Sequence, residues 1–180
     1  LEFDYAKFRI PPQEVGETLP QQLLALQLAG ECQDQICSKL DGARAGVFLG
    51  VGLDPNTTNF HLRWEAINGS MNPDTISPPL TANRTMGALA SVAASRVARF
   101  LRCGGPRFTV SDGTNPGPPA VELAAQALDR GEPDLAVAGA VDFPRDSPNH
   151  RAPLPPGGLL LVPNRPARPR PAAPRVPGLP

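Results

Sequence analysis

The sequence carries no surplus of either charge: 17 lysines and arginines balance 17 aspartates and glutamates. Without a basic excess there is no electrostatic case for nucleic acid or an anionic membrane surface as partner. Long apolar runs are also missing, and the longest fall far short of what a bilayer-crossing helix needs. No basic stretch followed by an apolar one opens the chain, so a cytoplasmic location is expected. In that setting the glycosylation sequons at Asn56, Asn68 and Asn83 read as chance matches. Cysteine is scarce: Cys32, Cys37 and Cys103 are odd in number and lack metal-ligand spacing, which speaks against a disulfide framework or a metal site. Histidine is scarcer still, with His61 and His150 alone. Gly50-Val51-Gly52 lacks a third glycine opening a helix, so no dinucleotide loop and no cofactor are expected.

Proline is the opposite case. There are 24, roughly twice or more the usual share, and 11 of them fall between Ser147 and Pro180. That segment has five arginines, no lysine and no carboxylate, and only Leu159 to Val162 looks like an element. Its composition cannot form a packed core, so residues 147–180 are expected to be a disordered, Pro/Arg-rich tail.

The remaining chain is organised around Gly105 to Phe143. Arg107 to Val110 reads as a strand, Asp112 to Gly117 as a dense turn, and Ala120 to Arg130 as a helix buried on most sides. Pro118 and Pro119 stand where a helix tolerates proline, and Gly131 is a suitable stop. Leu135 to Val141 is a continuous apolar run fit for a strand covered on both faces. A sharp strand-to-helix turn at the mouth of a buried helix is a common place for a nucleophile or an anion site, and Thr114 stands at its centre.

Upstream, Ala45 to Val51 (AGVFLGV) is a second buried-strand candidate. An amphipathic helix begins near Pro20 and runs at least to Ala29, and another spans Thr85 to Arg102 with Gly104 as its stop. Residues 1–18, with Phe3, Tyr5, Phe8 and Ile10 before the Pro11-Pro12 break, read as an extended arm that packs its aromatics on something larger. Strands alternating with helices argue for a layered α/β domain.

Six segments, in order, resemble the N-terminal half of a β-ketoacyl synthase, the thiolase-fold condensing domain of fatty acid and polyketide synthases. Phe8 to Glu14 looks like the F-x-I-S/P-P-x-E segment, Leu19 to Leu26 like the D-P-Q-Q-R-L-L-L helix, and Ala45 to Gly52 like the G-V-F-x-G strand. Gly87 to Leu101 is similar to the helix ending G-R-x-x-x-x-L, with Arg96 on the arginine. Gly105-Pro106 with Phe108 to Val110 is similar to G-P-S-x-T-V, and Ala120 to Val141 to the helix and strand that follow. The flavour is that of synthase-like and chain-length-factor-like domains of polyunsaturated fatty acid, glycolipid and polyketide synthases. The fold so implied is the first half of an α/β/α layered domain, over residues 1–146.

The family's nucleophilic cysteine lies in T-V-D-T-A-C-S-S-S, and the resemblance puts Thr114 on it. A threonine hydroxyl stays protonated near neutral pH and needs an adjacent base to attack a thioester. Prolines 116, 118 and 119 also remove N–H donors from the helix end that would polarise an acyl carbonyl. Cys103 falls before the strand, and the family's catalytic histidines and lysine belong to a C-terminal half this sequence does not contain. The resemblance therefore implies an inactive ketosynthase-like subunit that shapes an acyl pocket. Its implied partners are acyl carrier protein, an active ketosynthase and a second copy paired through the Phe108–Val110 edge. The alternative is a truncated or frameshifted remnant with no independent function; a condensing enzyme using Thr114 is the third reading. For Thr114 itself the competing role is that of a turn or N-cap residue.

Overall fold

One strand lies at the centre of the chain's architecture. The computed structural model describes residues 3–37, 42–52, 67–69, 71–75, 78–112, 115–142 and 157–163. In it β1 (Ala45–Val51) is the AGVFLGV run, buried at every position. It pairs in parallel with β2 (Arg107–Val110) on one side and β3 (Leu135–Val141) on the other. A fourth strand, β4 (Gly157–Pro163), joins β3 antiparallel, which gives the order β2-β1-β3-β4. A strand with neighbours on both sides and helices on both faces has no polar face to show, hence its unbroken apolar sequence.

Alternation along β1 sorts its side chains into two layers. Ala45, Val47, Leu49 and Val51, with Val137 and Val141 of β3, pack against the helices α3 (Pro20–Cys37) and α5 (Ala90–Leu101). Phe48, with Ala136 and Ala138, packs instead against α6 (Gly117–Asp129). The result is the expected α/β/α sandwich, with α3 and α5 on one side of the sheet and α6 on the other.

Several local expectations need correction. The N-terminal segment is not an extended arm: it folds into α1 (Tyr5–Phe8) and α2 (Pro12–Gly16). Asp4 starts α1 by accepting hydrogen bonds from the N–H groups of Ala6 and Lys7, at 3.1 and 3.0 Å. Pro12 starts α2, where its missing N–H costs nothing. The aromatics do pack on a larger body, since Phe8 stacks on Phe3 and meets Phe100 of α5, with ring centroids 4.9 and 4.8 Å apart. Helix α3 runs on to Cys37.

The expected helix over Thr85 to Arg102 is broken. α4 (Ala82–Ala88) ends at Leu89, whose backbone is extended, and α5 begins at Ala90. The cause lies in α3. The buried Gln22 side chain donates through Nε2 to the carbonyls of Met86, Gly87 and Leu89, at 3.1, 2.7 and 2.9 Å. Gly87 is needed there as well, because a Cβ would collide with the Glu17 carbonyl oxygen and lie 2.8 Å from Thr18 Cα.

α5 stops before Gly104. Arg102 takes the left-handed conformation (φ 58°), and the Cys103 N–H closes the end on the Ala98 carbonyl at 2.8 Å. Arg9, at the end of α1, does the same with φ 55°. A non-glycine residue in this conformation costs roughly 1–2 kcal/mol. α6 ends as expected on Gly131 (φ 70°), with N–H bonds from Gly131 to Leu128 (2.9 Å) and from Glu132 to Ala127 (3.0 Å).

α6 begins at Gly117, three residues before Ala120, and it is not buried on most sides. Ala120, Ala124, Ala127 and Leu128 face the sheet, while Glu122, Ala125 and Gln126 are exposed. Only one layer packs on it among the described residues.

The tail also needs correction. Gly157 to Pro163 is a strand bonded along the whole of β3, within the stretch expected to be disordered, and it takes in Leu159 to Val162, the one run there that looks like an element. A strand needs only a partner edge, and β3 supplies one that composition alone does not reveal. The remaining tail residues lie outside the described ones.

Candidate functional site

Parallel strands β1, β2 and β3 end together, and the mouth of α6 sits over that edge. In open α/β sheets the crevice at the carboxyl ends of the strands is where ligands are held. Here β2 leaves the sheet at Val110 and continues through exposed Ser111 and Asp112. The Asn115 N–H donates to the Asp112 carbonyl at 3.0 Å, and α6 begins two residues later. Thr114, the expected nucleophile position, lies outside the described residues, between Asp112 and Asn115.

The contact between helix mouth and sheet depends on glycine in β1. A Cβ at Gly50 would collide with the Pro116 carbonyl oxygen and lie 3.1 Å from the Ala140 Cβ. Pro116 is buried at this point, and Gly117 stands against Ala140 of β3. The first turn of α6 therefore rests on the two central strands with no side chain between.

What that turn offers chemically is limited. Pro116 is the N-cap, without a side-chain hydrogen bond to the helix, and prolines 118 and 119 follow. Among residues 116 to 119 only Gly117 carries an N–H. The next, on Ala120, is turned back to the Pro116 carbonyl at 3.4 Å. An oxyanion site needs preorganised donors aimed at one point, commonly two backbone N–H groups. The same edge carries negative charge: Asp112 follows β2, and the Asp142 carboxylate lies over Gly52, where a Cβ would be 2.5 Å from its Oδ1. Carboxylates at this edge oppose the build-up of a further negative charge.

The other residues singled out by sequence are scattered. Cys32 is half-buried on α3, on the opposite face of the sheet from α6. Burial, and then the neighbouring Glu31 charge, push its thiol pKa above the ordinary value of 9.0, so it is protonated at neutral pH. Cys103 is buried in the α3/α5 layer, before β2. The Cys37 side chain, His61, Trp64 and His150 lie outside what is described. Among the described residues no group of three or more His, Cys, Asp and Glu is placed to hold a metal, and no helix is long and apolar enough to cross a membrane.

Two features were not singled out by the sequence. The glutamate of the P-P-x-E segment and the arginine of the Gly87–Leu101 helix meet: Arg96 Nη2 lies 2.7 Å from Glu14 Oε1, tying α2 to α5. Beside this pair is a cavity of about 740 Å³, lined among others by Lys7, Arg9, Arg99, Arg102, Phe8 and Phe100. The available signal was the spacing of Arg96, Arg99 and Arg102, three residues apart along one side of α5.

Comparison with known proteins agrees with this architecture. A family model described as "Beta-ketoacyl synthase, N-terminal domain" matches residues 1–169, reaching past Asp142, where the motif-by-motif resemblance ends. Polyketide synthase GfsA of Streptomyces halstedii is 34% identical over 143 residues, 78% of this chain and 2% of that protein. Erythronolide synthase EryA3 of Saccharopolyspora erythraea is 32% identical over 143 residues, 78% of this chain and 4% of that protein. Non-reducing polyketide synthase nscA of Arthroderma gypseum is 29% identical over 154 residues, 82% of this chain and 8% of that protein. The chain thus spans less than a tenth of these relatives. Among solved structures, the ketosynthase from module 6 of the bacillaene synthase of Bacillus subtilis 168, in a mutant form, aligns with a TM-score of 0.56. It is 25% identical, over 78% of this chain and 21% of that one. The oxazolomycin ketosynthase domain OzmH KS7 of Streptomyces albus shares the fold, with a TM-score of 0.59, at 24% identity over 78% of this chain and 23% of that one.

Proposed function

The chain belongs to the β-ketoacyl synthase family, and from that premise we propose that it is a ketosynthase-like domain without condensing activity. In this reading it serves a polyketide-type synthase system by standing beside an active ketosynthase and shaping the space for an acyl chain. The observation that carries the reading is the proline-loaded mouth of α6. Three of the four residues from 116 to 119 have no N–H, at the helix end that would have to hold an oxyanion and lower a nucleophile's pKa. Thr114, which the resemblance places on the nucleophile, adds a hydroxyl that needs a base to react. Residues 1–146 form the ketosynthase-like unit in this proposal, and its location is the cytoplasm.

Acyl carrier protein and an active ketosynthase are the proposed partners, together with a second copy of the chain. β2 is an outermost strand of the sheet, and Phe108 on it is 40% exposed. An edge strand that presents unpaired backbone groups beside an exposed aromatic favours association. Phe108→Lys is expected to shift the protein from dimer to monomer in light scattering.

The test of inactivity is direct. The protein is incubated with radiolabelled acyl-CoA and with radiolabelled acyl carrier protein, then separated under denaturing conditions. Label is expected to stay on the donor; stable transfer to Thr114 would overturn the proposal. Co-purification with an active ketosynthase supports the partner role, and its absence from cells that express both removes that role.

A further inference from the structure

The cavity between α1 and α5 lies away from the mouth of α6. α5 ends where β1 and β2 begin: the N–H groups of Gly104 and Gly105, just after it, donate to the carbonyls of Gly42 and Ala45, at 2.7 and 2.9 Å. The mouth of α6 is at the other ends of those strands.

Its lining has an unusual charge balance. Glu14 is held by Arg96, so those two charges cancel within the wall. Lys7, Arg9, Arg99 and Arg102 remain on the rim, all exposed, and among the described residues none has a carboxylate within ion-pair distance. Lys7 Nζ donates to the Gly30 carbonyl at 3.4 Å and lies 5.6 Å from the centroid of the Phe8 ring, so it is turned inward over an apolar floor. Phe8, Phe100, Ile10, Leu26 and Val92 form that floor.

Backbone conformation supplies a second, independent observation. Arg9 and Arg102 are the only non-glycine residues with positive φ among the described residues, and both border this one cavity. Those positions favour glycine, which would close the two helix ends at less cost. A strained backbone that keeps a cationic side chain at both points is an outlier from which a role for the charges follows.

We infer that this cavity binds an organic phosphate: a small molecule with a phosphate or pyrophosphate head and an apolar or ring-bearing body. The planar guanidinium fork matches phosphate oxygens in pairs, which a rim of three arginines and a lysine can exploit. Cationic residues from two elements line one concavity, and about 740 Å³ is within the range that small-molecule sites occupy. A convex or flat basic surface would instead suit an acidic protein. The Phe and aliphatic floor accommodates the body of the molecule while the rim holds the head.

The test uses the full chain and calorimetric titration with adenosine diphosphate and, separately, with inorganic pyrophosphate. At low ionic strength both are expected to bind with Kd below about 1 mM, adenosine diphosphate the tighter. Both are expected to be lost near 1 M salt, where screening acts within about 3 Å. Arg9→Gly and Arg102→Gly each remove a cation while relaxing the backbone. Each is expected to weaken binding roughly tenfold without lowering the thermal midpoint. Arg99→Ala is expected to weaken binding similarly by a route that leaves both helix ends intact. Arg130→Ala, at the far end of α6, is expected to change nothing. Absence of binding at low salt, or variants that bind like the parent chain, would overturn the inference. So would poly-glutamate binding where pyrophosphate does not.

Discussion

Gln22 is the side chain whose removal should be felt farthest along the chain. It is buried, and its amide nitrogen links α3 to three carbonyls at the break between α4 and α5. Substitution by methionine keeps the volume and removes the donors. Two of the three carbonyls retain a partner, since Gly87 O also accepts from the Leu19 N–H and Leu89 O from the Val92 N–H, at 3.1 and 3.0 Å. The Met86 carbonyl loses its side-chain donor and the other two carbonyls lose one of two, at about 0.5–1.5 kcal/mol for each hydrogen bond. Against this, the Gln22 side-chain oxygen is itself buried without a partner, and methionine removes that penalty. The balance is a destabilisation of about 1–2 kcal/mol for Gln22→Met. Gln22→Ala adds a cavity and should cost about 2–4 kcal/mol. For a chain of this size 1 kcal/mol moves the thermal midpoint by roughly 2–4 °C. Urea unfolding followed by circular dichroism gives the free energies, and hydrogen exchange at the Leu19 and Val92 amides should quicken ahead of global unfolding. A Gln22→Met chain as stable as the parent to within about 0.5 kcal/mol, with unchanged exchange at those amides, would refute the idea that this link holds the break in place.

Gly50→Ala should cost about 2 kcal/mol or more, because the new methyl meets the Pro116 carbonyl; an unchanged urea midpoint would count against the close seating of α6 on β1. Glu14→Ala leaves Arg96, only 12% exposed, without its carboxylate and should cost about 1–3 kcal/mol; a double-mutant cycle with Arg96→Ala that shows no coupling would remove the pair's structural role. Cys32 should alkylate with a pH–rate midpoint above 9.0, read by peptide mapping after iodoacetamide treatment, and a midpoint below that value would contradict its burial. Since its folded pKa is raised, any stability it contributes is complete below the unfolded value and falls as pH rises past about 9.

The sheet and its helices were largely legible in sequence because β1 and β3 are covered on both faces, and such strands spell themselves as AGVFLGV and LAVAGAV. Local pattern failed where a distant partner decides. No window around Leu89 contains Gln22, so the break in the helix could not be seen. Leu159 to Val162 stood out in the proline-rich segment, but the edge of β3 that makes it a strand lies far upstream. Phe3, Tyr5, Phe8 and Ile10 looked extended because the spacing nearly alternates, whereas the Asp4 cap and the fixed φ of Pro12 favour short helices. Gly104 was the obvious stop for α5, yet the helix closes two residues earlier on an arginine, at a cost that propensity does not foresee. At the candidate site the prolines were readable as missing donors from sequence alone. What sequence could not supply was their seating on Gly50, which is a contact between segments more than sixty residues apart.

The position of β1 has a consequence for synthesis. Its parallel neighbours begin only at Arg107 and Leu135, so the central strand is made long before either exists. At translation rates of about 5–20 residues per second, the wait for β2 is on the order of 3 to 11 s. Throughout that interval a heptapeptide that is buried at every position in the fold stands with neither edge hydrogen-bonded to β2 or β3. It is a segment that a chaperone binding extended apolar peptides would hold, and whose release would have to be timed to the completion of β3.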